Sequence, residues 1–123
     1  MKTLLLALLL SATSARAGGI YPGHYSGGLI STRCIVPVGA QITFDLADNG
    51  VMHATLTDDG IVTGQLIGTV KANGSFVLFD QLGGVTRFTG TVRPIRSFTY
   101  LVITGTGHDE NCAYRFQARW RHF

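Results

Sequence analysis

The sequence has no apolar run approaching the roughly 20 residues that a membrane-spanning helix requires, so the mature chain is expected to carry no membrane span. It has no Cys-x-x-Cys and no close histidine pair, which removes the common dithiol and zinc arrangements. It has no His-Glu-x-x-His, and Gly23-His24-Tyr25-Ser26-Gly27 places its serine one position late for a nucleophile elbow. Gly105-Thr106-Gly107 lacks the third glycine and the following helix of a dinucleotide site. No window of a dozen residues carries a helical stripe, and 16 glycines, about twice the ordinary share, weaken helices throughout. These absences leave no catalytic residue to name, call for no metal and no cofactor, and confine any enzyme to an unrecognised type.

What is present first is a leader. Met1 and Lys2 give a positive start, Leu4 to Leu10 form an apolar run interrupted only by Ala7, and Ala15 and Ala17 occupy the small-residue positions of a cleavage site. Residues 1–17 are read as a cleavable signal peptide and residues 18–123 as one exported β-domain, periplasmic or extracellular. Gly18 rather than cysteine follows the cut, so no lipid anchor is expected. Lys2 and Arg16 leave with the leader, and the formal charge falls from +3 to +1. A nucleic-acid partner loses most of its support with them.

Period-two alternation dominates the rest. Tyr114, Phe116, Ala118 and Trp120 share one face, while Arg115, Gln117, Arg119 and Arg121 share the other. Ile42, Phe44 and Leu46 alternate with Gln41, Thr43 and Asp45, and Phe88, Gly90 and Val92 with Arg87, Thr89 and Thr91. Turn chemistry separates the runs at Asn49-Gly50, Asp59-Gly60, Asn73-Gly74, Gly83-Gly84, Arg93-Pro94 and the polar stretch from Gly105 to Asn111. About eight strands follow, including 33–38, 85–92, 97–104 and 113–121, connected as a meander.

Two cysteines in an exported chain read as one disulfide, Cys34 to Cys112. That bridge joins the first strand region to the start of the last, the two edges of an up-and-down sheet. It predicts a small antiparallel up-and-down β-barrel, with a two-sheet β-sandwich as the alternative.

Two features are candidate sites. His108, Asp109, Glu110 and Asn111 are the densest polar cluster, on the longest predicted loop beside Cys112, and read either as a binding loop or as a solvated loop pinned by the disulfide. Arg115, Arg119 and Arg121 share one face of the last strand, which suits an anionic partner or protects a sheet edge. Asp58-Asp59 has the residues of an acid–base pair but also those of a hairpin turn. His24, His53 and His122 are scattered, with no spacing that unites them, and Asn73-Gly74-Ser75 is a sequon that also serves as a turn. Counting back from Phe123 by twos lands on Arg121, Arg119 and Gln117, the wrong phase for a lipid-facing strand.

Gly23-His24-Tyr25 resembles the Gly-x-Trp opening of lipocalin-like and avidin-like barrels, with tyrosine in place of tryptophan. The resemblance covers a few residues and implies ligand binding in the barrel mouth. Phe44, Phe76, Phe88, Phe116 and Trp120 are equally suited to filling the interior, which would move function to loops or outer wall. Three functions remain: a non-enzymatic binding protein for a small ligand, an inhibitor or interaction module presenting a disulfide-braced loop to a protein partner, and an enzyme of unrecognised type.

Overall fold

The computed structural model describes residues 21–34, 40–95 and 100–121. Eight strands follow one another: β1 (Gly23–Ser31), β2 (Gln41–Leu46), β3 (Val51–Asp58), β4 (Ile61–Val70), β5 (Ser75–Asp80), β6 (Arg87–Ile95), β7 (Tyr100–His108) and β8 (Ala113–Arg121). Each pairs antiparallel with the next, and β8 returns to pair with β1. The fold is therefore the closed barrel and not the sandwich. The β1–β8 seam runs from His24 opposite Arg121 to Ser31 opposite Tyr114. Just beyond it, Cys34 and Cys112 are bridged with their Cα atoms 5.1 Å apart.

The turn residues act where the sequence put them. Gly50 and Gly74 adopt φ of 89° and 90°, the left-handed region that hairpins need. Asn73 spends its side-chain oxygen inside its own turn, accepting from the Ser75 amide at 3.0 Å and the Ser75 hydroxyl at 2.7 Å. Some boundaries differ from expectation. Pro94 does not end β6 but pairs with Leu101 one residue before the strand stops, a place where a missing N–H is tolerated. The strand expected over 33–38 does not begin at 33, since Thr32 to Cys34 form bends; residues 35–38 lie outside the described residues, as do the leader, residues 97–99 and His122.

The inward faces form one apolar cluster. Tyr25, Ile42, Phe44, Met52, Leu66, Leu78, Phe88 and Phe116 are buried in it, and Trp120 and Tyr114 pack against it. Four phenylalanines interlock across the axis, with ring centroids 6.2 Å apart for Phe44 and Phe76, 5.5 Å for Phe44 and Phe116, and 5.4 Å for Phe88 and Phe116. Inward glycines make room for them. A Cβ on Gly105 would stand 2.7 Å from Phe116 Cζ, and one on Gly107 would stand on the Phe88 ring. Among the described residues the centre of the barrel is thus occupied by side chains.

Candidate functional site

Alternation fixes which side chains reach the outer wall. In the register of β6, β7 and β8, Arg87 lies opposite His108 and His108 opposite Ala113; one step along, Thr89 lies opposite Thr106 and Thr106 opposite Arg115. All point away from the core. The disulfide brings a third arginine to these rows: the Thr32 amide donates to the Ala113 carbonyl at 2.8 Å, and the Cys34 amide to the Ser31 hydroxyl at 2.7 Å, which sets Arg33 between them at the rim. Arg33, Arg87, Arg115, His108 and the hydroxyls of Thr32, Thr89 and Thr106 line one concave groove of about 580 Å³. Arg87 is steadied by the Phe79 ring, whose centroid is 5.0 Å from its guanidinium carbon. Among the described residues, none of these three guanidiniums is seen paired with a carboxylate; elsewhere on the wall the His24 Nδ1 meets the Asp45 carboxylate.

The polar cluster beside Cys112 is not a long loop. Gly105 to His108 continue β7, because the glycines face inward against aromatic rings while the residues between them face out. What remains is the turn from Asp109 to Cys112, closed by the Asp109 amide donating to the Cys112 carbonyl at 3.0 Å. The four residues separate accordingly. His108 enters the groove, Glu110 and Asn111 stand exposed at the tip, and Asp109 holds the hairpin. Its carboxylate accepts from the Asn111 amide at 2.9 Å, the Cys112 amide at 2.8 Å and the Tyr114 hydroxyl at 2.7 Å.

Those bonds perturb both partners. Desolvation opposes the Asp109 charge, but the hydrogen bonds from Tyr114, Asn111 and Cys112, with nearby His108, outweigh it and hold the carboxyl below its usual range. Desolvation first, then the bond to Asp109 and its charge, push Tyr114 up to about 12. Asp109's contribution to stability is therefore present above the ordinary carboxylate range and lost as pH falls through its lowered pKa; Tyr114's is present below the ordinary tyrosine value and lost as pH rises through about 12. Asp109→Asn should move the Tyr114 titration, followed by phenolate absorbance, down from about 12 toward the ordinary tyrosine value, without reaching it because burial remains. An unmoved titration would take Asp109 out of this role.

The expected basic face of β8 also divides. Arg115, Arg119 and Arg121 are all exposed on the outer wall, but only Arg115 belongs to the groove. Arg121 lies toward the opposite end, its Nε donating to the Ser26 hydroxyl at 2.8 Å. His24, Asp45 and His53, remote in sequence, stand side by side across β1, β2 and β3. Among the described residues no group of three histidine, cysteine or acidic side chains is placed to hold a metal.

Sequence reasoning missed Arg33, Arg87 and the three threonines. A signal for Arg33 was present: once Cys34 is joined to Cys112, its neighbour must lie beside Ala113 and Arg115. Arg87 carried only its outward phase, and nothing in sequence spacing gives the register that sets it against His108. No family model matches the chain, and neither a curated protein nor a solved structure was found to match it. Among the described residues no helix is long and apolar enough to cross a membrane.

Proposed function

We propose that the mature protein is an exported, non-enzymatic binding module that takes an anionic, oxygen-rich group, such as a phosphate, sulfate or carboxylate, in the outer-wall groove at the disulfide end. The observation that carries this reading is the convergence of Arg33, Arg87 and Arg115, without carboxylate partners among the described residues, on one concavity with His108. Guanidiniums give charge-assisted, fork-shaped recognition of oxyanions, and the flanking hydroxyls of Thr89 and Thr106 supply further donors. Side chains pack the centre of the barrel, and the outer wall offers this concave surface.

Calorimetric titration of the oxidised mature protein with inorganic sulfate and with phosphate at low ionic strength tests it. Arg115→Gln and Arg87→Gln should each weaken binding about tenfold or more, the loss of a charge-assisted hydrogen bond, and added salt should weaken it further. Binding left unchanged in the double variant would overturn the reading.

A second reading, a module that docks on another protein, rests on a separate observation. Leu82, 95% exposed, and Val85 lie on the β5–β6 connection, and Ile61 and Val62 open β4 at the same end of the barrel. Exposed apolar residues gathered on neighbouring hairpins suit a protein contact. Native mass spectrometry of the purified protein separates the two: a retained small anion favours the groove, and a stoichiometric protein partner favours the hairpins.

A further inference from the structure

The basic groove does not end at Arg115. A second concavity of about 550 Å³ adjoins it along the wall, sharing Arg115 and Thr106 and continuing over Gly28, Ile30, Thr104 and Gln117. The two together form a furrow across β7, β8 and β1, charged at the disulfide end and uncharged beyond. Register explains the continuity. Ile30 lies opposite Arg115 and Gly28 opposite Gln117, so the uncharged floor begins at the residue beside the arginine.

Two features make this extension suited to a chain rather than to a second charge. Ile30 is 57% exposed, an outward apolar side chain in the middle of a polar wall. Gly28 has nothing within 4 Å of where a Cβ would stand, unlike the inward Gly105, where it would meet the Thr89 carbonyl and the Phe116 ring, and Gly107, where it would meet the Phe88 ring. Nothing in the packing of the barrel requires a glycine at 28, and its effect on the wall is to leave the furrow open beside Ile30. Apart from Arg115 at the junction, no charged side chain lines this part.

We propose that the ligand is an anionic amphiphile: a single-chain molecule whose oxyanion head sits among Arg33, Arg87, Arg115 and His108 and whose alkyl chain lies along the furrow over Gly28 and Ile30. The inference rests on the anion-binding reading above and adds the class of ligand to it. A sulfate or phosphate alone engages half of the furrow; an attached chain uses the other half, and its burial there adds to the affinity in proportion to its length.

The test measures inorganic sulfate and, as a series of monoanions with one head group, methyl, butyl, hexyl and octyl sulfate, each below its micellar concentration, by calorimetry on the oxidised mature protein. Complete burial of a methylene is worth roughly fourfold in affinity, and an open furrow should give about half of that free energy, or about twofold per methylene. Octyl sulfate, with seven methylenes more than methyl sulfate, is then expected to bind about a hundredfold more tightly than it. Two variants place the effect. Ile30→Ser removes the apolar contact, and Gly28→Trp occupies the furrow with a side chain for which the backbone has room. Both should flatten the dependence on chain length while sulfate still binds, since neither residue lines the basic groove. Sulfate binding without any gain from the chain, or a gain that both variants leave intact, overturns the amphiphile and leaves the anion site standing. Failure of sulfate and of every alkyl sulfate to bind overturns both proposals.

Discussion

Replacing Cys34 with serine is expected to destabilise the barrel by about 4–5 kcal/mol, the largest single loss in the molecule outside the core. The bridge spans 78 positions, and its reduction returns that loop to the unfolded ensemble. The native pairing of β1 with β8 survives the change, because the seam from His24 to Ser31 has its own hydrogen bonds, so the variant should still fold at low denaturant. Urea unfolding of Cys34→Ser beside the oxidised and reduced wild-type protein measures the difference, and reduced wild type should match the variant. The same substitution reaches the groove. Arg33 is held at the rim by the bridge and by the Thr32 amide, and freeing it should weaken sulfate binding about threefold to tenfold, the cost of ordering one long side chain and its loop. An unfolding midpoint that does not move would deny the bridge its role in closing the barrel. Undiminished sulfate binding would remove Arg33 from the site.

The second large effect lies in the core. Phe88 is fully buried, with its ring stacked between Phe116, 5.4 Å away, and Tyr114, 6.0 Å away. Phe88→Ala should cost about 3–5 kcal/mol, combining lost transfer energy with the cavity left behind. The inward Gly107 supplies an internal check. The atoms nearest a Cβ at 107 all belong to the Phe88 ring, so Gly107→Ala overpacks one side chain rather than the backbone and should cost about 1–3 kcal/mol. In the double variant the new methyl enters space the ring has vacated. The two losses should then fall short of their sum by about 1–3 kcal/mol, the coupling expected of residues in direct contact. Strict additivity in a double-mutant cycle would mean that the glycine is not there to admit the ring.

These two residues also mark where the sequence could and could not be read. The alternation of Tyr114, Phe116, Ala118 and Trp120 with the arginines of β8 placed that strand to the residue, because a half-buried strand writes its two faces directly into polarity. Closure followed from the cysteines, because a bridge between the first and last strand regions leaves few other arrangements. The stretch from Gly105 to His108 was misread for an equally physical reason. Glycine alternating with polar residues has no apolar face of its own, and its inward face is supplied by Phe88 and Phe116 from neighbouring strands. A glycine that is a socket for a ring is indistinguishable in sequence from one that makes a turn. The groove was half legible: His108 and Arg115 were singled out, but in separate features, and only the register shows that they belong together with Arg87 and Arg33.

The seam between β1 and β8 has a consequence for the order in which the chain can assemble. Every other neighbouring pair is consecutive in sequence, and its pairing is available as soon as its second strand is present. The first strand has no such local mate on its outer side. As the chain folds it keeps one row of backbone donors and acceptors without a strand partner until Ala113–Arg121, the last strand of the chain, joins it. The groove shares that timing, since two of its arginines, Arg33 and Arg115, are on opposite sides of the seam. An anion held between Arg33 and Arg115, as proposed above, would require the last strand to be in place, so its capture would report a finished molecule.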